Sequence, residues 1–279
     1  PVLLRITTRV CHTRAAVELG ALPPRRPRGV FRKNPERFLP TPANARRLRQ
    51  ELQRRLDRAC ELLTASAFNA VSGSSEPSGA GPRRGLVASG APRNVVRHVM
   101  AGLGLSVPLL ELGALHPLPH EIIVPFLRGL DEVLVVEELT PYLEDSLLAI
   151  AQHHGVTARV HGKRDGKMPW PFELEPQEVE KRIRDFFGLG PSLGPPVEAA
   201  PELPSHPVPT RPPVLCPGCL HRNVFHAATA VFGSKSVYVN DIGCYTLGAN
   251  APYHAGDVLL AMGSSVPMAA GIARSTGER

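Results

Sequence analysis

The chain has 279 residues, 43% of them hydrophobic, which is enough to bury a sizeable core in two domains and too many for wholesale disorder. No uninterrupted apolar run approaches the roughly 20 residues of a membrane-spanning helix, and five dispersed cysteines fit a reducing compartment better than a disulfide framework. The 32 Lys and Arg against 25 Asp and Glu leave a charge of +7, but the surplus lies in the first hundred residues and the 5% aromatic content offers little stacking surface, which argues against a nucleic-acid partner.

No secretory signal pattern opens the chain, so a cytoplasmic location is expected. It starts at Pro1 inside a strand-like run, as a segment beginning within a domain would. Residues 1–10, PVLLRITTRV, predict a β-strand, because Val, Leu, Ile and Thr dominate and nothing interrupts them. Thr7, Thr8, Arg9 and His12 would then lie at the end of that strand, the edge where α/β proteins gather ligands. An Arg there can fork a carboxylate. Arg9 and His12 are therefore candidate substrate residues, set against a plain polar strand end at the surface.

From 21 to 42 the composition turns to Pro and Arg, as in a linker. Residues 43–66 predict an amphipathic helix: Leu48, Leu52, Leu56 and Leu63 keep one face, with Ala59 and Cys60 beside them, and Arg and Glu fill the other. The run SGSSEPSGAGPRR (72–84) closes the segment as a flexible boundary.

Strands and helices then alternate. Strands are expected at 85–90, 108–113, 131–138 and 157–163, and helices at 93–104, 119–130, 141–155 and 176–190. This alternation argues for a parallel sheet with right-handed crossovers. The continuous apolar run in 131–138 suits a strand buried on both faces. Glu137 and Glu138 end it, either as functional acids or, as the preferred reading, as capping or ion-pairing groups. No GxGxxG follows any of these strands, so the dinucleotide fingerprint is missing. Residues 188–213 are dense in proline and form an extended tether to the C-terminal segment.

That C-terminal segment carries the chemistry. Cys216 and Cys219 form a C-x-x-C turn, a geometry used by zinc ribbons, redox pairs and iron–sulfur clusters alike. A helix is expected at 221–233, then a strand, SVYVNDIG, leading to a third thiol, Cys244, in a glycine-containing turn. Three soft ligands would suit a cluster lacking its fourth; cysteines holding no metal are the alternative. Met262, Gly263, Ser264 and Ser265 precede a small-residue helix, whose first amides and hydroxyls make a natural phosphate cradle.

Together LCPGCLHR, NDIGCYTLGANAP and LLAMGSSVPMAAGI resemble the start of the thiamine-diphosphate-binding domain in the large (alpha) subunit of the indolepyruvate:ferredoxin oxidoreductases, within the 2-oxoacid:ferredoxin oxidoreductase superfamily. The likeness covers nearly the whole chain. It implies an α/β fold: the end of a pyrimidine-binding domain (1–20), a linker with an amphipathic helix (21–84), a transketolase C-terminal-like parallel sheet domain (85–187), a Pro-rich linker (188–213) and the first half of a thiamine-diphosphate-binding domain (214–279). The implied activity is oxidative decarboxylation of an aryl pyruvate to an acyl-coenzyme A, with electrons passing to 4Fe-4S clusters and ferredoxin. A smaller beta subunit would be the partner. Ile242, Gly243, Cys244 and Tyr245 would lie along thiamine diphosphate, and Met262 to Ser265 near its diphosphate. The resemblance also makes Cys216, Cys219 and Cys244 candidate 4Fe-4S ligands, as in the two-subunit relatives. The Mg2+ ligands, the ferredoxin-like cluster domain and most of the pyrimidine domain are not in this sequence, so the chain is expected to be an internal fragment, inactive alone. Asn240, Leu220 and Ala261 depart from the family's usual Gly, Pro and Cys. Another 2-oxoacid:ferredoxin oxidoreductase, a basic zinc- or nucleic-acid-binding module, and a scaffold that has lost its chemistry are the competing readings.

Overall fold

The structure is a computed structural model and describes residues 3–4, 6–21, 30–73, 81–170, 172–190 and 213–277. The chain forms two compact units, Pro1–Pro195 and Pro196–Arg279. Most of the proline-rich tether expected at 188–213 lies outside the described residues.

In the first unit, helix α1 spans Thr8–His12, α2 Pro35–Phe38 and α3 Pro42–Thr64. Strand β1 spans Asn69–Ser72, β2 Arg84–Ser89, β3 Leu109–Leu112, β4 Glu132–Val136 and β5 Arg159–His161. Between the strands run α4 (Pro92–Leu103), α5 (His120–Arg128) and α6 (Tyr142–His153), and α7 (Pro176–Phe187) follows β5. The sheet order is β1-β3-β2-β4-β5, with β1 antiparallel to β3 and the other pairs parallel. This is the α/β alternation expected from the sequence. β5, α6 and α7 come out shorter than their expected spans, and α5 continues through Pro125 to Arg128.

Side-chain alternation along the strands builds two cores. Val87, Leu110, Leu112, Val133 and Val135 face α5 and α6 and bury Ile123, Leu127, Leu147 and Ile150. Leu86, Ala88, Leu109, Leu134 and Val136 face α4 and α7 and bury Val96, Val99, Val179 and Ile183. A strand covered on both faces needs an unbroken apolar run, and β4 supplies one from Val133 to Val136.

Two sequence expectations are corrected here. Residues 1–10 do not form a strand among the described positions: Leu3 and Leu4 are exposed, and Thr8–His12 makes a short helix. β-Propensity stabilises a strand only where a neighbouring strand completes its hydrogen-bond ladder. Here Arg9 pins the segment instead, through Glu173, Glu175 and the Leu174 carbonyl. Conversely, β1 forms in a span expected to be linker. It is an edge strand whose identity comes from its partner: the Asn69 side chain accepts from Gly113 N–H at 3.0 Å and donates to the Leu63 carbonyl at 2.8 Å, tying α3, β1 and the end of β3 together.

In the second unit, α8 spans Leu220–Phe232, β6 Val239–Asn240, a 3-10 helix Cys244–Ala249, β7 Val258–Leu259 and α9 Ser265–Thr276. β6 and β7 pair in parallel. The strand expected over 236–243 is thus only two residues long. Leu215, Phe225 and Ala255 form the buried centre, against which Tyr238, Leu247 and Tyr253 pack.

Candidate functional site

Buried polar side chains mark the carboxyl edge of the first unit's sheet. Glu137 is 2% exposed and accepts hydrogen bonds from Leu143 N–H (2.8 Å) and Glu144 N–H (2.9 Å), so it caps the N-terminus of α6 from the end of β4. α6 has no side-chain cap of its own, because Pro141 stands at that position. Burial pushes the Glu137 carboxyl above its ordinary pKa, and the two N–H groups oppose that shift. Glu138 accepts from Leu174 N–H at 3.1 Å. Glu144 accepts from Lys163 N–H (2.7 Å) and Arg164 N–H (3.1 Å), and Lys163 Nζ donates to the Pro169 carbonyl at 2.6 Å. Burial also pushes the Lys163 ammonium below its ordinary pKa. The capping role preferred for Glu137 on sequence grounds is the one observed. Glu144 carried no sequence signal, since its partners lie 19 and 20 positions further along the chain.

Arg9 and His12 lie on α1. The Arg9 guanidinium is occupied by Glu173 (3.1 Å), Glu175 (2.7 Å) and the Leu174 carbonyl (3.0 Å), so a substrate carboxylate would have to displace two acidic groups. His12 is exposed.

In the second unit, the parallel pair β6 and β7 releases two loops at the same carboxyl edge. The first runs through Asp241, Ile242 and Gly243 into Cys244 and Tyr245; the second runs through Met262 and Gly263 into Ser264, Ser265 and α9. Asp241 joins them: its Oδ1 accepts from Ser265 N–H at 2.8 Å, capping α9. Ser264 steadies the second loop, its Oγ accepting from Ala261 N–H (3.0 Å) and donating to the Ala261 carbonyl (2.6 Å). Both loops turn on glycines with positive φ, Gly243 at +120° and Gly263 at +80°, and a Cβ on either would meet open space. These are backbone conformations that L side chains avoid, in loops whose surfaces remain clear. Ile242, Met262 and Val266 are exposed around them, Met262 at 80%. The structure therefore brings together the two sets of cofactor residues expected from sequence. Asp241, which links them, was not among those candidates.

Asn240 has a plain role. Its Nδ2 donates to the carbonyls of Tyr245 (3.1 Å) and Ala255 (2.6 Å), fixing the first loop from within. The Cys216–Cys219 turn precedes α8, with Arg222 bonded to the carbonyls of Leu215 and Cys216. Cys219 Sγ lies 3.1 Å from His221 Nδ1, and the His221 ring meets Tyr245 edge-on at 4.6 Å between centroids. The C-x-x-C turn thus touches the Gly-Cys-Tyr segment through His221. Among the described residues, however, no three Cys, His, Asp or Glu side chains are gathered to hold a metal ion. Cys219 is turned to His221.

The open glycines admit a ligand against the backbone, and the exposed apolar side chains offer it a surface.

No protein-family model matches the chain. It is 41% identical over its whole length to the indolepyruvate oxidoreductase subunit IorA of Methanothermobacter marburgensis, and covers 44% of that protein. By sequence, this chain belongs to the IorA family. The IorA subunit of Thermococcus kodakarensis is 35% identical over 97% of the chain and 42% of the relative. That of Archaeoglobus fulgidus is 34% identical over 98% of the chain and 43% of the relative. The chain therefore spans less than half the length of the curated IorA subunits it matches. A solved 2-oxoglutarate:ferredoxin oxidoreductase from Magnetococcus marinus aligns at a TM-score of 0.35 and 17% identity, over 52% of this chain and 23% of its own, a likeness too loose to define a shared fold. Among the described residues, no helix is long and apolar enough to cross a membrane.

Proposed function

We propose that the chain supplies part of the thiamine-diphosphate site in the large subunit of a ferredoxin-linked oxidoreductase acting on an aryl pyruvate such as indolepyruvate. The observation that carries this reading is the convergence of two loops from the carboxyl ends of β6 and β7, locked by the Asp241–Ser265 bond, in a chain of the IorA family. Gly263, Ser264 and Ser265 at the start of α9 would hold the diphosphate, and Ile242, Gly243, Cys244, Tyr245 and Met262 would lie along the rest of the cofactor. When bound, thiamine diphosphate supplies the electron sink that decarboxylation of a 2-oxo acid requires. The chain's own work is placement. Asp241 sets the distance between the loops, Asn240 holds the Gly-Cys-Tyr segment, and the two glycines keep the backbone bare where the ligand would approach. Mg2+ ligands and the electron-carrying 4Fe-4S clusters would come from the rest of the subunit. A smaller partner subunit, ferredoxin as acceptor and coenzyme A as acyl acceptor complete the reading, in a cytoplasmic enzyme.

The test uses the full-length protein with its partner subunit. Thiamine diphosphate binding is measured by calorimetry, and anaerobic dye reduction is followed with indolepyruvate and coenzyme A. Gly263→Val, which places a branched side chain on a positive-φ residue, is expected to weaken cofactor binding on the order of tenfold or more. A full-length protein that binds no thiamine diphosphate would overturn the proposal.

A further inference from the structure

We propose that His120 and His154 form a two-imidazole chelate for a divalent transition-metal ion, tying the first residue of α5 to the residue that caps the C-terminus of α6. His120 Nδ1 and His154 Nε2 lie 3.2 Å apart, though 34 positions separate them in sequence, and their rings meet edge to face with centroids 5.3 Å apart. Two metal–nitrogen bonds of about 2.0–2.1 Å at a tetrahedral angle hold their nitrogens about 3.4 Å apart. The pair already stands within a few tenths of an ångström of that bite. Its backbone anchors are rigid, because α5 and α6 pack on one face of the sheet through Ile123, Leu127, Leu147 and Ile150. A chelating pair on packed helices loses little freedom when it closes on an ion.

The pair lies at the surface, so water completes the coordination sphere. The neighbouring groups are His153, whose ring sits 4.8 Å from that of His154, and Arg128, which donates to the His154 carbonyl at 3.3 Å. Neither takes up the facing ring nitrogens. Imidazole suits Ni2+, Zn2+ and Cu2+ over Mg2+ or Ca2+. The competing reading is a simple hydrogen bond between neutral rings, which would leave the chain indifferent to metal. This site is independent of the thiamine-diphosphate proposal, since it belongs wholly to the first unit.

The protein is stripped with chelator and titrated calorimetrically with NiCl2 in a Cys216→Ser/Cys219→Ser background, which removes competing thiols. One Ni2+ is expected to bind. His120→Ala and His154→Ala should each weaken binding on the order of tenfold or more, as loss of one arm of a chelate does. Both side chains are superficial, and fluorescence of Trp170, the single tryptophan, reports whether each variant keeps its fold. Saturating Ni2+ should also raise the urea midpoint of the parent but not of His154→Ala. Failure to bind Ni2+, unchanged affinity in His154→Ala, or an equal loss in His153→Ala would each overturn the proposal.

Discussion

Replacing Glu137 by Gln probes how the end of β4 holds α6. In the parent, two carboxylate oxygens accept from two helix N-terminal amides at 2.8 and 2.9 Å in a site 2% exposed. Gln retains one acceptor oxygen and turns its NH2 toward the other amide, so one buried N–H loses its partner. An unsatisfied buried donor costs about 1–3 kcal/mol. Removing a desolvated carboxylate returns part of that, and a net loss of about 1–2 kcal/mol is expected. Glu137→Ala strips both acceptors and should cost about 2–4 kcal/mol. Urea unfolding followed by Trp170 fluorescence isolates the first unit, because that residue is the single tryptophan and lies within it. For a slope of about 2–3 kcal/mol per M, Gln should lower the midpoint by about 0.5 M. The pH dependence gives a second arm. Burial raises the folded-state pKa of Glu137, so its protonation-linked stability is fully present below the unfolded value and is lost as pH rises through the folded value. The parent's advantage over Gln should therefore shrink as pH rises through the folded pKa of Glu137. An advantage that grows over that window would refute the account of a buried, desolvated cap.

Leu134→Ala, at a fully buried position of β4 against α4 and α7, is expected to cost about 2–5 kcal/mol in the same assay. Asp131, Glu132 and Asp145 are each held below the ordinary carboxylate range by hydrogen bonds from Arg83, Arg84 and Arg164. Their contribution is present above the unfolded pKa and lost as pH falls through the folded one, so the chain should lose stability in acid and Glu132→Gln should flatten part of that slope. Asp241→Asn keeps an oxygen for Ser265 N–H but weakens the charge at the α9 N-terminus; a loss of about 0.3–1 kcal/mol in the second unit is expected, read by amide hydrogen exchange in α9, with no change at Trp170. Iron analysis of anaerobically purified full-length protein should give the same content for Cys216→Ser as for the parent, because the cysteines are not gathered here; a loss of iron would restore them as ligands.

Much of the first unit was legible in the sequence, because its signals are local. The Val and Leu runs of β2, β3 and β4 and the helical periodicity of α3 and α4 need no partner to be read. The three motifs of the second unit were legible for a different reason: short strings of glycine, cysteine and serine in a set order identify a family even where they do not specify a geometry.

What tertiary structure alone decided rests on pairing across distance. Residues 1–10 carry strand propensity, yet without a neighbouring strand the described part turns into a helix held by Arg9, whereas Asn69–Ser72, with little propensity, becomes a strand because β3 pairs with it. Glu137 becomes a cap only because β4 ends where α6 begins. Asp241 becomes the link between the loops that follow β6 and β7 only because those strands run parallel. Cys216, Cys219 and Cys244 suggested a ligand set by type, but ligation depends on where the backbone brings the sulfurs, and His221 takes the neighbouring place. His120 and His154 stand 34 positions apart and carry no joint signal in the sequence; packing α5 against α6 sets their nitrogens 3.2 Å apart. Composition and periodicity determined the buried strands and the helices that cover them, while the edge segments and the close approach of polar groups were decided by the fold, since hydrogen-bond and metal geometry act over a few ångströms that no linear spacing encodes.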